Sequence, residues 1–453
     1  MAQNLLQDSK AWGSLSKLLP PRNSDEDFWW KKTGPHLAAM LEAAQYSPER
    51  QYDALLFHYH WIVPYLGKAL DTFSERQWSS VLGVEGLPIE YSWKWNSATK
   101  KPEVRYGVEP IGRFSGTELD PLNHDATREL LHRLKVAIPS LDTSMVDHFV
   151  STFYDANRFE YAQQTKAGVP TSTTLMIAVE FKGVQPMLKT YILPRKLGQT
   201  LGRIPMSLFK DSLSILDFKS AAQQSVYDFL ESNTEGRLLN VFLVAVDNVA
   251  PVESRLKLYC HTPRTNFKSV REIMTLGGRI DVPEAKFQDL KTLIASATGL
   301  TPDFAEDAEI PLRAQHKNVE VAFADMPILL HGMMYYFDIG ARGTLPDVKL
   351  YLLVRNYGPG DNSLADGITA WMKQHGRGQY CEGYVSMVHE LCEKKQLDGS
   401  RSIQTYISCM FKKDGELEIT SYLAPEILAE TEGTLQQKDI AIRTRSTLRR
   451  GSN

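Results

Sequence analysis

The chain is 453 residues long, 43% hydrophobic and 23% charged, with 51 Lys+Arg against 54 Asp+Glu for a net charge of −3. That length allows two or three average domains or one large barrel, and the near-balance of charge excludes the global positive field that nucleic acid or an anionic membrane requires. The four cysteines, Cys260, Cys381, Cys392 and Cys409, form no CxxC pair and have no zinc-like spacing to histidine, which argues against a metal site and for a reducing, cytoplasmic setting.

The first 25 residues lack the continuous apolar segment of a secretory signal and read as an N-terminal arm. Ser24 or Asp25 is placed to cap a helix entering at Phe28-Trp29-Trp30. Helical periodicity runs on through His36 to Ala44 and again from Gln51 to Leu66. After a loop at 83–88 comes strict alternation: Ile89, Tyr91, Trp93 and Trp95 share one face, Glu90, Ser92 and Lys94 the other, with 104–108 as hairpin partner. Helices are predicted near 124–135, 143–153, 207–230, 267–274, 284–298, 362–375 and 383–395. Strands are predicted near 173–182, 187–193, 239–246, 254–260, 317–324, 331–337, 347–354, 403–411 and 416–423. No apolar run reaches the roughly 18 residues of a membrane span. Residues 431–453 read as a polar, basic tail.

Hairpins separated by helices argue against a doubly wound parallel sheet and fit about five helix-hairpin units in a ring, one domain over 26–430. Three strands repeat a pattern: Lys189-Thr190-Tyr191, Lys257-Leu258-Tyr259 and Lys349-Leu350-Tyr351, with Arg255 extending the second. Residues two apart share a face, so each tripeptide sets an ammonium beside a phenol. A lone strand lysine more often faces solvent, but here the opposite face is apolar. If amphipathic helices wrap a closed sheet, the apolar face meets them and the polar face lines the lumen. Ten strands leave room inside for a ligand chamber. Glu90 is either a solvated edge acid or a lumenal carboxylate that accepts a hydrogen bond from a substrate N–H. Thr275 to Arg279 lacks Walker spacing and reads as a structural turn. No DDxxD-type cluster is present to chelate magnesium, so a diphosphate would be met by Arg and Lys.

These residues resemble the fungal aromatic prenyltransferases of the dimethylallyltryptophan synthase type, over about 26–424. The markers are Phe28-Trp29-Trp30, Gly86 to Ser92, Val104-Arg105-Tyr106 with Glu109-Pro110-Ile111, Leu188 to Tyr191, Ser254 to Tyr259, Thr275 to Arg279, and Thr405 to Ser408. The resemblance implies the α/β (α+β) ABBA barrel, ten antiparallel strands around a solvent-filled lumen ringed by helices. It implies transfer of a dimethylallyl group from dimethylallyl diphosphate to an indole carbon in alkaloid biosynthesis, with no required cofactor or metal. By position, Arg105, Lys189, Arg255, Lys257 and Lys349 would cradle the diphosphate, and Tyr191, Tyr259, Tyr351 and Tyr422 would shield the allylic cation. Glu90 would hold the indole N–H, and Val81 and Leu82 would contact the aromatic substrate.

The family's pattern also bears on the acceptor. Thr174 or Met176 stands where the enzyme that prenylates tryptophan at C4 has lysine, Leu193 where it has tyrosine, and Lys349 where a relative has glutamine. The first two changes favour a tryptophan-containing cyclic dipeptide such as cyclo-Trp-Pro over free tryptophan, whereas Arg237 aligns with an arginine that holds a free carboxylate. The expected partners are small molecules, with the chain a monomer or homodimer. Rival readings are a prenyltransferase acting on a phenol, a non-catalytic barrel for phosphorylated metabolites, and a metal-dependent phosphoryl transferase.

Overall fold

A computed structural model describes residues 9–425, apart from 70–77, 84–85, 171, 184, 217–218, 314–325, 341 and 394–401. Its ten strands are β1 (Ile89–Lys94), β2 (Glu103–Val108), β3 (Leu175–Glu180), β4 (Met187–Ile192), β5 (Asn240–Asp247), β6 (Leu256–Thr262), β7 (Met333–Ile339), β8 (Asp347–Leu352), β9 (Gln404–Phe411) and β10 (Leu417–Leu423). Each pairs antiparallel with its chain neighbour, and β1 pairs with β10 to close the barrel. Closure leaves no unpaired edge.

The wall is double-sided because the sequence alternates. Tyr91, Trp93, Val104, Tyr106, Leu256 and Leu258 face outward and are buried beneath helices. Trp93 and Trp95 pack on Tyr384 of the helix Cys381–Glu393, with ring centroids 5.4 and 4.5 Å apart. Tyr91 keeps its hydroxyl satisfied by donating to the Thr33 carbonyl at 2.8 Å. Each aromatic ring of this size removes about 150–250 Å² from water, so the helix-to-wall layer holds the main hydrophobic core. The inner face is left for polar side chains.

Several elements differ from the sequence reading. The helix at 24 is capped by Asn23, whose side chain accepts from Glu26 N–H at 3.0 Å, so Ser24 and Asp25 lie inside it. The stretch 207–230 is two helices, Pro205–Ile215 and Ala221–Ser232. Residues 51–66 stop being α-helical after Phe57 and continue as a π turn and a 3₁₀ turn, where Pro64 lacks an N–H to continue the ladder. Helices Arg158–Lys166 and Arg195–Leu201 were not anticipated; the first has no apolar face to betray it, with Tyr161 its one buried residue. Within the expected arm, Lys10–Leu18 is a helix that buries Ala11 and Leu15. The strand expected at 317–324 and the tail 431–453 lie outside the described residues, and ten strands close the barrel without the former. The 275–279 segment is a structural turn, with Leu276, Gly277 and Gly278 at φ of 53°, 69° and 83° ending the helix Phe267–Met274. Among the described residues no helix is long and apolar enough to cross a membrane.

Candidate active site

The lumen holds a chamber with two chemically distinct ends and a belt of tyrosines between them. Of the residues singled out in the sequence, Val81, Leu82, Glu90, Arg105, Lys189, Tyr191, Lys257, Tyr259, Lys349, Tyr351 and Tyr422 all line it. Arg255 does not. It precedes β6 at the rim, 48% exposed, and reaches Asp247 at 2.8 Å and Asp338 at 2.9 Å.

At the ionic end, strand register sets acids opposite bases: Arg105 pairs with Glu180, Lys189 with Asp247, and Lys257 with Asp338. The contacts follow this register only in part. Arg105 lies 3.2 Å from Glu180 and 2.8 Å from Glu103, and Lys189 bonds Glu180. Lys257 lies 2.8 Å from Asp247, while Lys349 and Lys94 share Glu418 at 3.1 and 2.8 Å. Burial alone would raise the Glu180 carboxyl, but Arg105 and Lys189 outweigh it and hold it well below the usual carboxylate range. Burial pushes Lys189 down to about 8, because Glu180 only partly offsets it while Lys257 and Arg105 repel its charge. The paired set is six cations (Lys94, Arg105, Lys189, Arg255, Lys257, Lys349) against five carboxylates (Glu103, Glu180, Asp247, Asp338, Glu418). Carboxylates thus hold the cations in place and limit their mutual repulsion, and a polyanion would compete for donors already in position. The buried Nε of Arg105 has no hydrogen-bond partner, so one donor remains unspent. No group of three or more His, Cys, Asp or Glu in metal-binding geometry occurs among the described residues.

The belt is a chain of six rings. Tyr191 contacts Tyr259 at 5.9 Å, and Tyr259 contacts Tyr336 at 5.2 Å and Tyr351 at 5.9 Å. Tyr422 lies 5.7 Å from Tyr351 and 6.4 Å from Tyr406. Burial pushes the phenols of Tyr191, Tyr259 and Tyr351 upward, so they stay neutral and their rings offer π-faces rather than charge. The Lys349 ammonium already sits 5.8 Å from the Tyr336 ring centre. Tyr336 and Tyr406 were missed in the sequence reading. The signal for Tyr336 was its parity with Asp338, masked by the adjacent Tyr335, which faces outward and is fully buried.

Beyond the belt stands Glu90, 9% exposed. Burial raises its carboxyl to about 7, against the lowering effects of the Thr405 hydroxyl, which donates to it at 2.7 Å, and of the Arg355 charge. Its cross-strand partner is Gly107, and a Cβ there would come within 3.1 Å of Leu82. The glycine lets the Val81–Leu82 loop lie against the wall beside Glu90. That loop is tied down from behind. Val81 N–H donates to Thr173 Oγ1 at 3.1 Å, and buried Glu109 accepts from Thr173 at 2.8 Å, Trp78 at 2.7 Å and Asn123 at 3.2 Å. The remaining wall is apolar: Met176, Leu193, Phe242, Leu243, Met326, Leu329 and Met334. Phe242 and Leu243 both line it although adjacent, because the β5–β6 register shifts between Val241 and Leu243. Met176, not Thr174, is the lumenal residue of its pair; Thr174 donates to the Leu122 carbonyl at 2.9 Å. Arg237 lines a neighbouring cavity instead.

A closed ten-stranded barrel with a lumenal site of paired cations, tyrosines and a buried carboxylate defines a class, and the comparisons agree. The description of tryptophan dimethylallyltransferases matches residues 25–387. The prenyltransferase anuH of Penicillium roqueforti is 48% identical over 446 residues, covering 98% of each chain. Xanthone prenyltransferase A of Emericella nidulans is 42% identical over 423 residues, covering 91% of this chain and 94% of its own. Among solved structures, AnaPT from Neosartorya fischeri superposes with a TM-score of 0.75 at 21% identity, over 92% of this chain and 97% of its own. NotF, solved with brevianamide F and DMSPP, gives 0.75 at 22% identity, over 93% of this chain and 100% of its own. The chain belongs to the tryptophan dimethylallyltransferase family. It is an aromatic prenyltransferase with the ABBA barrel of those structures.

Proposed function

We propose that this enzyme transfers a dimethylallyl group from dimethylallyl diphosphate to a ring carbon of a phenolic, polycyclic acceptor. The diphosphate lies at the ionic end, where Arg105, Lys189, Lys257 and Lys349 take its oxygens in exchange for carboxylate partners, with Arg255 closing the rim. Its C–O bond breaks and the electron pair leaves with the diphosphate. The tyrosine belt faces the allylic cation, each close ring contributing about 1–2 kcal/mol when desolvated, and keeps water from quenching it. The acceptor ring lies against Val81 and Leu82. With its phenol proton held by Glu90, a ring carbon attacks the cation to form the C–C bond; the ring then rearomatises as its carbon-bound proton passes to the diphosphate and Glu90 returns the phenol proton.

The observation that carries the phenolic reading is the buried Glu90 carboxylate lining the acceptor end of the chamber beside Val81 and Leu82, where burial raises it to about 7. A phenol ionises near pKa 10, and a base poised near neutral pH withdraws its proton far better than an ordinary carboxylate. Loss of that proton makes the ring electron-rich. The names of two relatives, 42% and 39% identical, both xanthone prenyltransferases, support the same class. A second reading, an indole in a tryptophan-containing cyclic dipeptide, is favoured by the same carboxylate acting as hydrogen-bond acceptor for an N–H, and by the brevianamide F complex of NotF. Free tryptophan fits less well, since Arg237 does not line the chamber.

The test is incubation of the full-length protein with dimethylallyl diphosphate and EDTA against a hydroxyxanthone, cyclo-Trp-Pro and tryptophan, read by mass spectrometry and NMR. The expected product is a C-prenylated xanthone formed at an undiminished rate in EDTA. Turnover of cyclo-Trp-Pro alone would replace the phenolic reading with the indole one.

A further inference from the structure

The chamber is small for its task. Its cavity volume is about 170 Å³, close to that of an engineered cavity of about 150 Å³ that accommodates one benzene. The dimethylallyl group and a reacting ring together already exceed such a space, so the rest of a larger acceptor must lie outside it. A second cavity of about 680 Å³ lies next to it, and the two share Phe242 and Met326. Its floor is hydrocarbon: Met206, Leu230, Leu239 and Val241, from the helices Pro205–Ile215 and Ala221–Ser232 and the start of β5. Charge is confined to the Lys210–Glu231 ion pair, Arg195 and Arg237, the last already donating to the Ser232 carbonyl at 3.3 Å. An apolar interior with a few polar groups is the composition of a small-molecule site. Phe242, beside the β5 irregularity, lines both spaces.

We propose that this second cavity is an annexe of the active site that binds the hydrocarbon substituent of the acceptor, an alkyl chain or a further ring, passing between Phe242 and Met326. The inference rests on the phenolic reading above and specifies its substrate class: acceptors carrying an extended apolar group, in preference to the bare ring. Affinity grows with the apolar area buried until the annexe is full.

The experiment uses phenol acceptors with straight alkyl chains of one to nine carbons, measured both for kcat/KM with dimethylallyl diphosphate and for binding by quenching of tryptophan fluorescence. Wild-type enzyme should gain about three- to fourfold per methylene over part of the series. Met206→Trp, at a half-buried helix position away from the chamber, should remove that gain while leaving the shortest acceptor unchanged. Leu230→Trp serves the same purpose from the facing helix should the first variant fold poorly by circular dichroism. A flat series in wild type, or an equal slope in the filled variants, overturns the annexe. Failure of every phenol to be prenylated while binding still rises with chain length would instead remove the phenolic reading and leave the annexe standing.

Discussion

The two ends of the chamber solve opposite problems with opposite materials. At the ionic end, burial is tolerated because each cation has a carboxylate within about 3 Å, as in Lys257 with Asp247 and Lys349 with Glu418. At the other end, burial outweighs the Thr405 hydroxyl and the Arg355 charge at Glu90, and its carboxyl becomes a weaker acid accordingly. The same low dielectric therefore keeps paired carboxylates such as Glu180 and Glu418 ionised and leaves Glu90, which burial governs, titratable. An enzyme that separates a diphosphate from a carbocation needs both: fixed charge where the anion departs, and a movable proton where the acceptor reacts.

Breaking the ionic end should have the largest effect. Lys257→Ala leaves Asp247 with one fewer partner and removes a proposed diphosphate contact, and kcat/KM for dimethylallyl diphosphate should fall about 10³-fold. Half-exposed Arg255→Ala should cost far less in the same steady-state assay. Glu90→Gln should lower kcat about 10²–10³-fold while titration calorimetry shows unchanged affinity for a non-reactive thiolodiphosphate analogue. If analogue binding also collapsed, the division between the ends would be wrong. Tyr336→Leu, in the belt, should lower kcat about tenfold and raise the share of dimethylallyl alcohol among the products, measured by gas chromatography.

The smallest effect is a displaced pH profile. As the proposed base, Glu90 would act deprotonated, so kcat/KM for the acceptor should rise with pH through about 7. Buried Glu109 is also raised to about 7, so the limb alone does not name its owner. Thr405→Val removes a hydrogen bond that lowers Glu90 and should move the limb upward only if Glu90 sets it. On the alkaline side, loss of the Lys189 proton above about 8 should weaken capture of dimethylallyl diphosphate.

Alternation made the barrel legible. The apolar faces beside Lys189, Lys257 and Lys349 turned those residues inward, and all three line the chamber. The acids that pair with them were not read, although Glu180 and Glu418 share the lumenal parity, because pairing depends on register between strands rather than on pattern within one. The same limit hid the tie from Glu109 through Thr173 to Val81, which joins residues far apart in sequence. Parity puts Arg255 on the face of Lys257 and the resemblance puts it in the cradle; it lies one residue ahead of β6, with its side chain at the rim of the chamber. The apolar second cavity left no periodic trace, since its wall comes from two helices and a strand that starts at an irregularity.

Closure of the barrel by β1 and β10 sets a schedule for the enzyme's own birth. Glu90 is synthesised early, and the hydroxyl that tunes it, on Thr405, follows 315 residues later. At ribosomal rates that gap lasts roughly 15–60 s. Until then β1 lacks its partner β10 and the barrel cannot close. Catalytic competence thus waits for the last hairpin, β9 and β10, and a chain without it has no closed wall to contain a carbocation.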